Sequence, residues 1–199
     1  MDVDELFEFY KKEFIPAYSD LVGYIGDKPQ QVLIELENVL SHLSQRFNPD
    51  VTPKEKSANL QKANDHLFRV TLDCYKLLWI KIHNQLEKIE KDDSVRKLGL
   101  NISEAEFTIK FQKIKKLAQE ARTIEMESIG LSPMASIDKY KEVVKNGYEL
   151  MDKRDDVKIS EIKSLKRFIS TKEFVIGTVI GVVGGLISGC LLSFIYAKL

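Results

Sequence analysis

The chain has 199 residues, and its 30 basic and 30 acidic side chains cancel, so no net field points to nucleic acid. Charged residues make up 30% and apolar residues 44%, which excludes both a disordered chain and a polytopic membrane protein. Two cysteines, Cys74 and Cys190, sit within apolar helical patterns, which excludes a disulfide framework and a cysteine zinc site.

From the N-terminus, residues 1–173 read as helices throughout, with no sustained alternation bounded by hairpin turns. Leu6, Tyr10, Phe14, Ala17 and Leu21 form the apolar stripe of a first helix, in which Pro16 predicts a kink or break. A loop is expected over Gly23 to Pro29, followed by a second helix with the stripe Leu33, Leu36, Leu40, Leu43 and Phe47. Asn48 to Pro53 is a second loop. Its end, Thr52–Pro53–Lys54–Glu55, is a capping box with proline at the first helical position.

The third helix is predicted to run from Pro53 to about Asp92. Between Leu67 and Ile82 it is apolar on most sides, which suits the centre of a bundle extending past it at one end. One polar row interrupts it: Lys62, Asp65, His66, Arg69, Asp73 and Lys76. Arg69 and Asp73 stand at i, i+4 and are expected to pair, as are Asp73 and Lys76 at i, i+3. His66, Arg69, Asp73 and Lys76 are therefore a candidate partner-binding face, weighed against an ordinary solvated face.

Gly99 to Ser103 breaks the chain, and Ser103–Glu104–Ala105–Glu106 is a second capping box. Phe107, Phe111, Ile114, Leu117, Ala121 and Ile124 line the fourth helix. Gly130–Leu131–Ser132–Pro133 is a turn with a weaker start at Ser132. The fifth helix has the stripe Ile137, Tyr140, Val144, Tyr148 and Met151. A sixth helix is expected from Lys158 or Ser160, with Ile159, Ile162, Leu165 and Ile169 apolar. It runs into the next segment unless Ser170 and Thr171 interrupt it.

Phe174 to Tyr196 is a run of 23 uncharged residues. As a helix it spans about 34 Å, enough for a hydrocarbon core of about 30 Å. The acidic N-terminus has no apolar segment of a cleaved leader, and only Ala197, Lys198 and Leu199 follow the span, so a C-terminal tail anchor inserted after synthesis is expected. Lys158, Lys163, Lys166, Arg167 and Lys172 precede the span against Lys198 beyond it, which places the bulk of the chain in the cytoplasm. Lys163, Lys166, Arg167 and Lys172 also suit anionic lipid headgroups.

Within the span Gly177, Gly181, Gly185 and Gly189 recur every fourth residue, and Ser193 continues the row. Small residues at that spacing let two backbones approach closely, which predicts helix association, most simply with another copy of the chain. The opposite row, Val175, Val179, Val183, Ile187, Leu191 and Ile195, suits lipid.

Catalytic constellations are sparse. His66 and His83 lie 17 residues apart on one helix, about 25 Å, too far to share an ion. His42 and His66 could meet across two helices, with Asp65 or Glu35 nearby; packing histidines are the simpler reading. Phosphate-loop, dinucleotide, nucleophile-elbow and H-E-x-x-H motifs are absent. The basic stretch Lys115 to Arg122 is countered by Glu120, Glu125 and Glu127 and has no aromatic platform, which makes nucleic acid an unlikely partner.

The sequence thus predicts an all-α protein: a cytoplasmic bundle of five to six helices (1–157), a basic amphipathic juxtamembrane helix (158–173) and one transmembrane helix (174–196). No cofactor, metal or catalytic residue is assigned. The expected function is a homo-oligomeric, non-enzymatic membrane effector, a pore or tight cluster with a sensing bundle. The alternative is a membrane-tethered adaptor whose bundle binds a partner protein.

Overall fold

The computed structural model describes residues 2–127 and 133–196, with side chains described up to Gly189 except at Pro133. The turn expected at Gly130–Ser132, the side chains of Cys190, Leu191, Ser193 and Ile195, and residues 197–199 lie outside the described residues. The described chain is all-α, its one β feature being an isolated antiparallel bridge between Leu100 and Arg154.

Helix α1 (Val3–Phe9), a π-helical turn (Tyr10–Phe14) and α2 (Ile15–Ile25) make one continuous helix. Asp2 caps it, accepting from the Glu5 N–H at 2.8 Å, while Glu5 accepts from the Asp2 N–H at 2.7 Å. The helix does not break at Pro16. A proline ring in a helix collides with the carbonyl four residues back. The wide π turn ends just before Pro16, its Ile15 N–H reaching back to the Tyr10 carbonyl, and relieves that crowding. The helix runs through Gly23 and stops at Gly26, whose φ of 72° is the left-handed cap that glycine adopts freely.

Helix α3 (Gln30–Phe47) packs on α4 (Pro53–Lys91). Its buried row is Val32, Val39 and Leu43, with Leu36 half-buried, so of the stripe read from the sequence only Leu36 and Leu43 face the core. Leu33, Leu40 and Phe47 face solvent, the last two at 67% and 66% exposure. Two apolar rows interleave on this helix, and the polar neighbours decide between them. Only the valine row puts Glu35 and His42 within reach of partners on α4.

Helix α4 is the axis of the fold. Its 39 residues extend about 58 Å. Thr52 and Glu55 form the expected capping box. Leu67, Val70, Cys74, Leu78, Ile82 and Leu86 are buried along it, against α2 and α3 on one side and α7 (Pro133–Met151) on the other. In its N-terminal half Asn59 and His66 meet His42 and Glu35 of α3, and Phe68 packs on Phe9 of α1.

A short helix that the sequence reading missed, α5 (Asp93–Leu98), turns the chain at the end of α4. Asp92 caps it by accepting from the Ser94 and Val95 N–H groups, each at 3.1 Å. Helix α6 (Glu104–Glu127) then packs on α7, burying Phe107, Phe111, Ile114 and Ala121. Ser103 accepts from the Glu106 N–H at its start. The last helix, α8 (Asp156–Tyr196), is 41 residues long and passes through Ser170 and Thr171 without interruption.

Candidate functional site

Helix α8 leaves the bundle from a tightly built corner. Asp155 caps it, accepting from the Lys158 N–H at 3.1 Å, and the Asp155 N–H donates to the Gly99 carbonyl at 3.0 Å. Arg154 reaches Gln85 of α4 at 3.0 Å and Asp156 at 2.5 Å. Ile159 is buried against α5 so closely that a Cβ on Gly99 would sit 2.7 Å from it. Seven residues on, Lys166 donates to Asp92 at 2.6 Å. Beyond Lys166, every described side chain of α8 is exposed.

The exposed part contains the one segment among the described residues long and apolar enough to cross a membrane, and none of it is buried within the protein. Lys163, Lys166, Arg167 and Lys172 are all exposed around its approach, and Lys166 alone of the four also donates to the bundle, at Asp92. At Gly177, Gly181, Gly185 and Gly189, and at Gly184 beside them, an added Cβ would meet nothing within 4 Å. No packing within the chain calls for glycine at those positions. Gly147 of α7 is different, since a Cβ there would lie 2.8 Å from Ile82.

The polar row on α4 is not a simple solvated face, and of its two expected pairs Asp73–Lys76 forms and Arg69–Asp73 does not. Arg69 does not pair with Asp73. It is largely exposed and lies 3.9 Å from Glu35 of α3, whose other carboxylate oxygen contacts His66 Nδ1 at 2.6 Å. Asp73 instead accepts from Gln31 Nε2 at 2.9 Å and stands 3.5 Å from Lys76. Lys76 also reaches Glu125 of α6 at 3.0 Å. Glu125 receives Arg122 at 2.8 Å and the Tyr140 hydroxyl of α7 at 3.3 Å. A polar chain therefore runs Gln31–Asp73–Lys76–Glu125–Arg122 across α3, α4 and α6. Lys62 and Asp65 stay outside it, Asp65 accepting from Gln61.

Burial sets the charges in this chain against one another. Desolvation pushes the Asp73 carboxyl above its ordinary pKa, although Lys76 and Gln31 pull it back. At Glu125 desolvation is again the largest influence, but Arg122 and Lys76 together outweigh it and hold the carboxyl below its usual range. Cys74, next to Asp73, is buried, and its thiol is pushed up to about 12, which makes it inert packing.

His42 and His66 do meet. Their rings stack at 5.3 Å and 18°, with His42 Nδ1 3.0 Å from Asn59 Oδ1. Stacked rings do not converge their nitrogens on one ion, and no set of three His, Cys, Asp or Glu among the described residues is placed to hold a metal.

The sequence reading missed Gln31, named Glu125 only as a charge countering the basic stretch and Asp92 only as a helix end, and named Glu35 only as a neighbour of the histidines. A signal existed for Asp92: Asp92–Asp93–Ser94 before an apolar residue, with Gly99 after it, is a cap and a stop. Glu125 carried none, because its partners come from three helices. Comparison of the chain with protein-family models, with curated proteins and with solved structures finds no match.

Proposed function

We propose that the chain is a single-pass, homo-oligomeric membrane protein without catalytic activity. Its bulk faces the cytoplasm, and its bundle controls how the spans assemble into a pore or tight cluster. The observation that carries this reading is the glycine row Gly177, Gly181, Gly185, Gly189 on an exposed helix, where no contact within the chain uses the missing side chains. Between membrane helices there is no hydrophobic driving force, so close backbone approach supplies much of the attraction. Ser193 extends the row in sequence. Lys163, Lys166, Arg167 and Lys172 on the approach favour the cytoplasmic side by the positive-inside rule and draw anionic headgroups. With no charge in the span, a pore would be lined by glycine backbone, Thr178 and Ser188. Thr178 already donates to the Phe174 carbonyl at 2.8 Å, as a polar group in lipid must.

One observation favours the second reading, a tethered adaptor. Leu33, Leu40 and Phe47 expose an apolar line on α3, which suits a protein partner. The full chain reconstituted into dye-loaded vesicles separates the two. Release that is lost with Gly185→Leu supports the pore, whereas tight vesicles from a correctly inserted chain overturn it in favour of the adaptor.

A further inference from the structure

Helices α4 and α6 both pack on α7 but diverge from each other on the outer side, and a hollow of about 500 Å³ opens between them. It is an open groove, with much of its length facing solvent. Ala118 keeps the α6 wall low, and Tyr140 of α7 contributes at the base.

Three features of the lining bear on what it could hold. Trp79, the sole tryptophan of the chain, stands on the α4 wall, and Ile80 beside it is half exposed. The primary amides of Asn84 on α4 and Gln119 on α6 line the hollow as well, both exposed to solvent. Two cations stand on the α6 wall, two turns apart. Lys115 is held over the Phe111 ring at 4.5 Å and near Glu90 at 3.6 Å, and Arg122 is held by Glu125 at 2.8 Å. No carboxylate lines the hollow itself.

Each feature answers part of one ligand. A flat ring suits the indole wall, where His83 already sits edge-on to Trp79 at 5.2 Å. Exposed amides can read the polar edge of such a ring, since each offers both donors and an acceptor. Cations fixed in place lose little freedom when an anion arrives. We infer that the α4–α6 hollow is a binding site for a nucleotide, its base against Trp79 and its phosphates on Lys115 and Arg122. There is no glycine-rich phosphate loop in the chain, so these side chains must supply the phosphate contacts.

The site also deepens the proposed function, and on that reading alone rests its role as a trigger. Trp79, His83 and Asn84 lie on the helix whose last turn meets Lys166 of α8 through Asp92. A ligand drawing α4 toward α6 acts on the helix that holds the membrane segment.

The test uses the full chain in detergent, with Trp79 emission followed as ATP, GTP and UTP are added separately. At least one should give a saturable change below about 5 mM, weakened about 10-fold or more in a Lys115→Gln, Arg122→Gln double variant. Adenosine and inorganic triphosphate should each bind at least about 10-fold more weakly than ATP if ATP is the responder. Circular dichroism establishes that the variant is folded, and saturation-transfer NMR on the parent chain gives a second measure of binding. No saturable change with any of the three overturns the inference. So does unaltered affinity in the folded variant, or triphosphate binding as tightly as the nucleotide. None of these outcomes depends on whether the spans oligomerise.

Discussion

Lys166 of α8 donates to Asp92 at 2.6 Å, and Asp92 is also the residue that caps α5. The Asp92 backbone N–H thus closes the end of α4, while its carboxylate starts the next helix and holds α8. Its pKa is held below the usual range, chiefly by the Lys166 hydrogen bond and then by the cap, with burial opposing.

Asp92→Asn should separate these roles. Asparagine still caps, so only the ion pair is lost, at about 0.2–1 kcal/mol for a pair this exposed. Asp92→Ala removes the cap as well and should cost about 1 kcal/mol more. The folded pKa is depressed, so the contribution of the pair is present above the unfolded carboxylate pKa and fades as pH falls through the folded value. Thermal unfolding of the full chain in detergent at pH 7 and near pH 3 measures both. Equal losses for the two variants would remove Asp92 as the cap.

The polar chain across α3, α4 and α6 gives opposite expectations for its two carboxylates. The Asp73 pKa is raised, so protonation favours the fold and the benefit is lost as pH rises through the folded pKa. Asp73→Asn should therefore cost less than about 0.5 kcal/mol at pH 7, or stabilise. The Glu125 pKa is lowered, so its stabilisation is present above the unfolded pKa and lost as pH falls through the folded one. Glu125→Gln weakens bonds to Lys76, Arg122 and Tyr140 and should cost about 1–3 kcal/mol at pH 7, with the difference closing at acid pH. Denaturant unfolding of each variant across pH is the check, and a larger loss at Asp73 than at Glu125 would contradict it.

Glycines in and out of the span should respond differently to alanine. Gly147→Ala forces Ile82 to move and should cost about 1–3 kcal/mol. Gly99→Ala meets the Val95 carbonyl at 2.8 Å as well as Ile159, so it strains backbone and loosens the corner that seats α8. Gly177→Ala meets nothing in its own chain and should leave bundle unfolding unchanged. A thermal shift at Gly177→Ala equal to that at Gly147→Ala would show that bundle packing does reach the span.

The helices and the long apolar stretch of α8 were legible because each rests on a local signal. Thr52 and Glu55 cap within four residues, and the run after Phe174 has no charge over many turns. The face of α3 was not legible, because Val32–Leu36–Val39–Leu43 and Leu33–Leu40–Phe47 both satisfy helical spacing. Only the partners of Glu35 and His42 on α4 choose between them. The Arg69–Asp73 pair failed for a related reason. Spacing along one helix gives who can meet, but Gln31, Glu35 and Glu125 arrive from other helices and take the contacts.

The central claim, self-association through the glycine row, is tested most directly by crosslinking the full chain in detergent and in membranes. Gly181→Leu and Gly185→Leu place a large side chain at the contact and should lower the crosslinked fraction sharply, while membrane insertion is kept. Val179→Leu and Val183→Leu, on the opposite row, should crosslink like the parent. If both leucine-for-glycine variants crosslink as the parent does, or if only the valine variants lose the oligomer, the glycine row is not the interface.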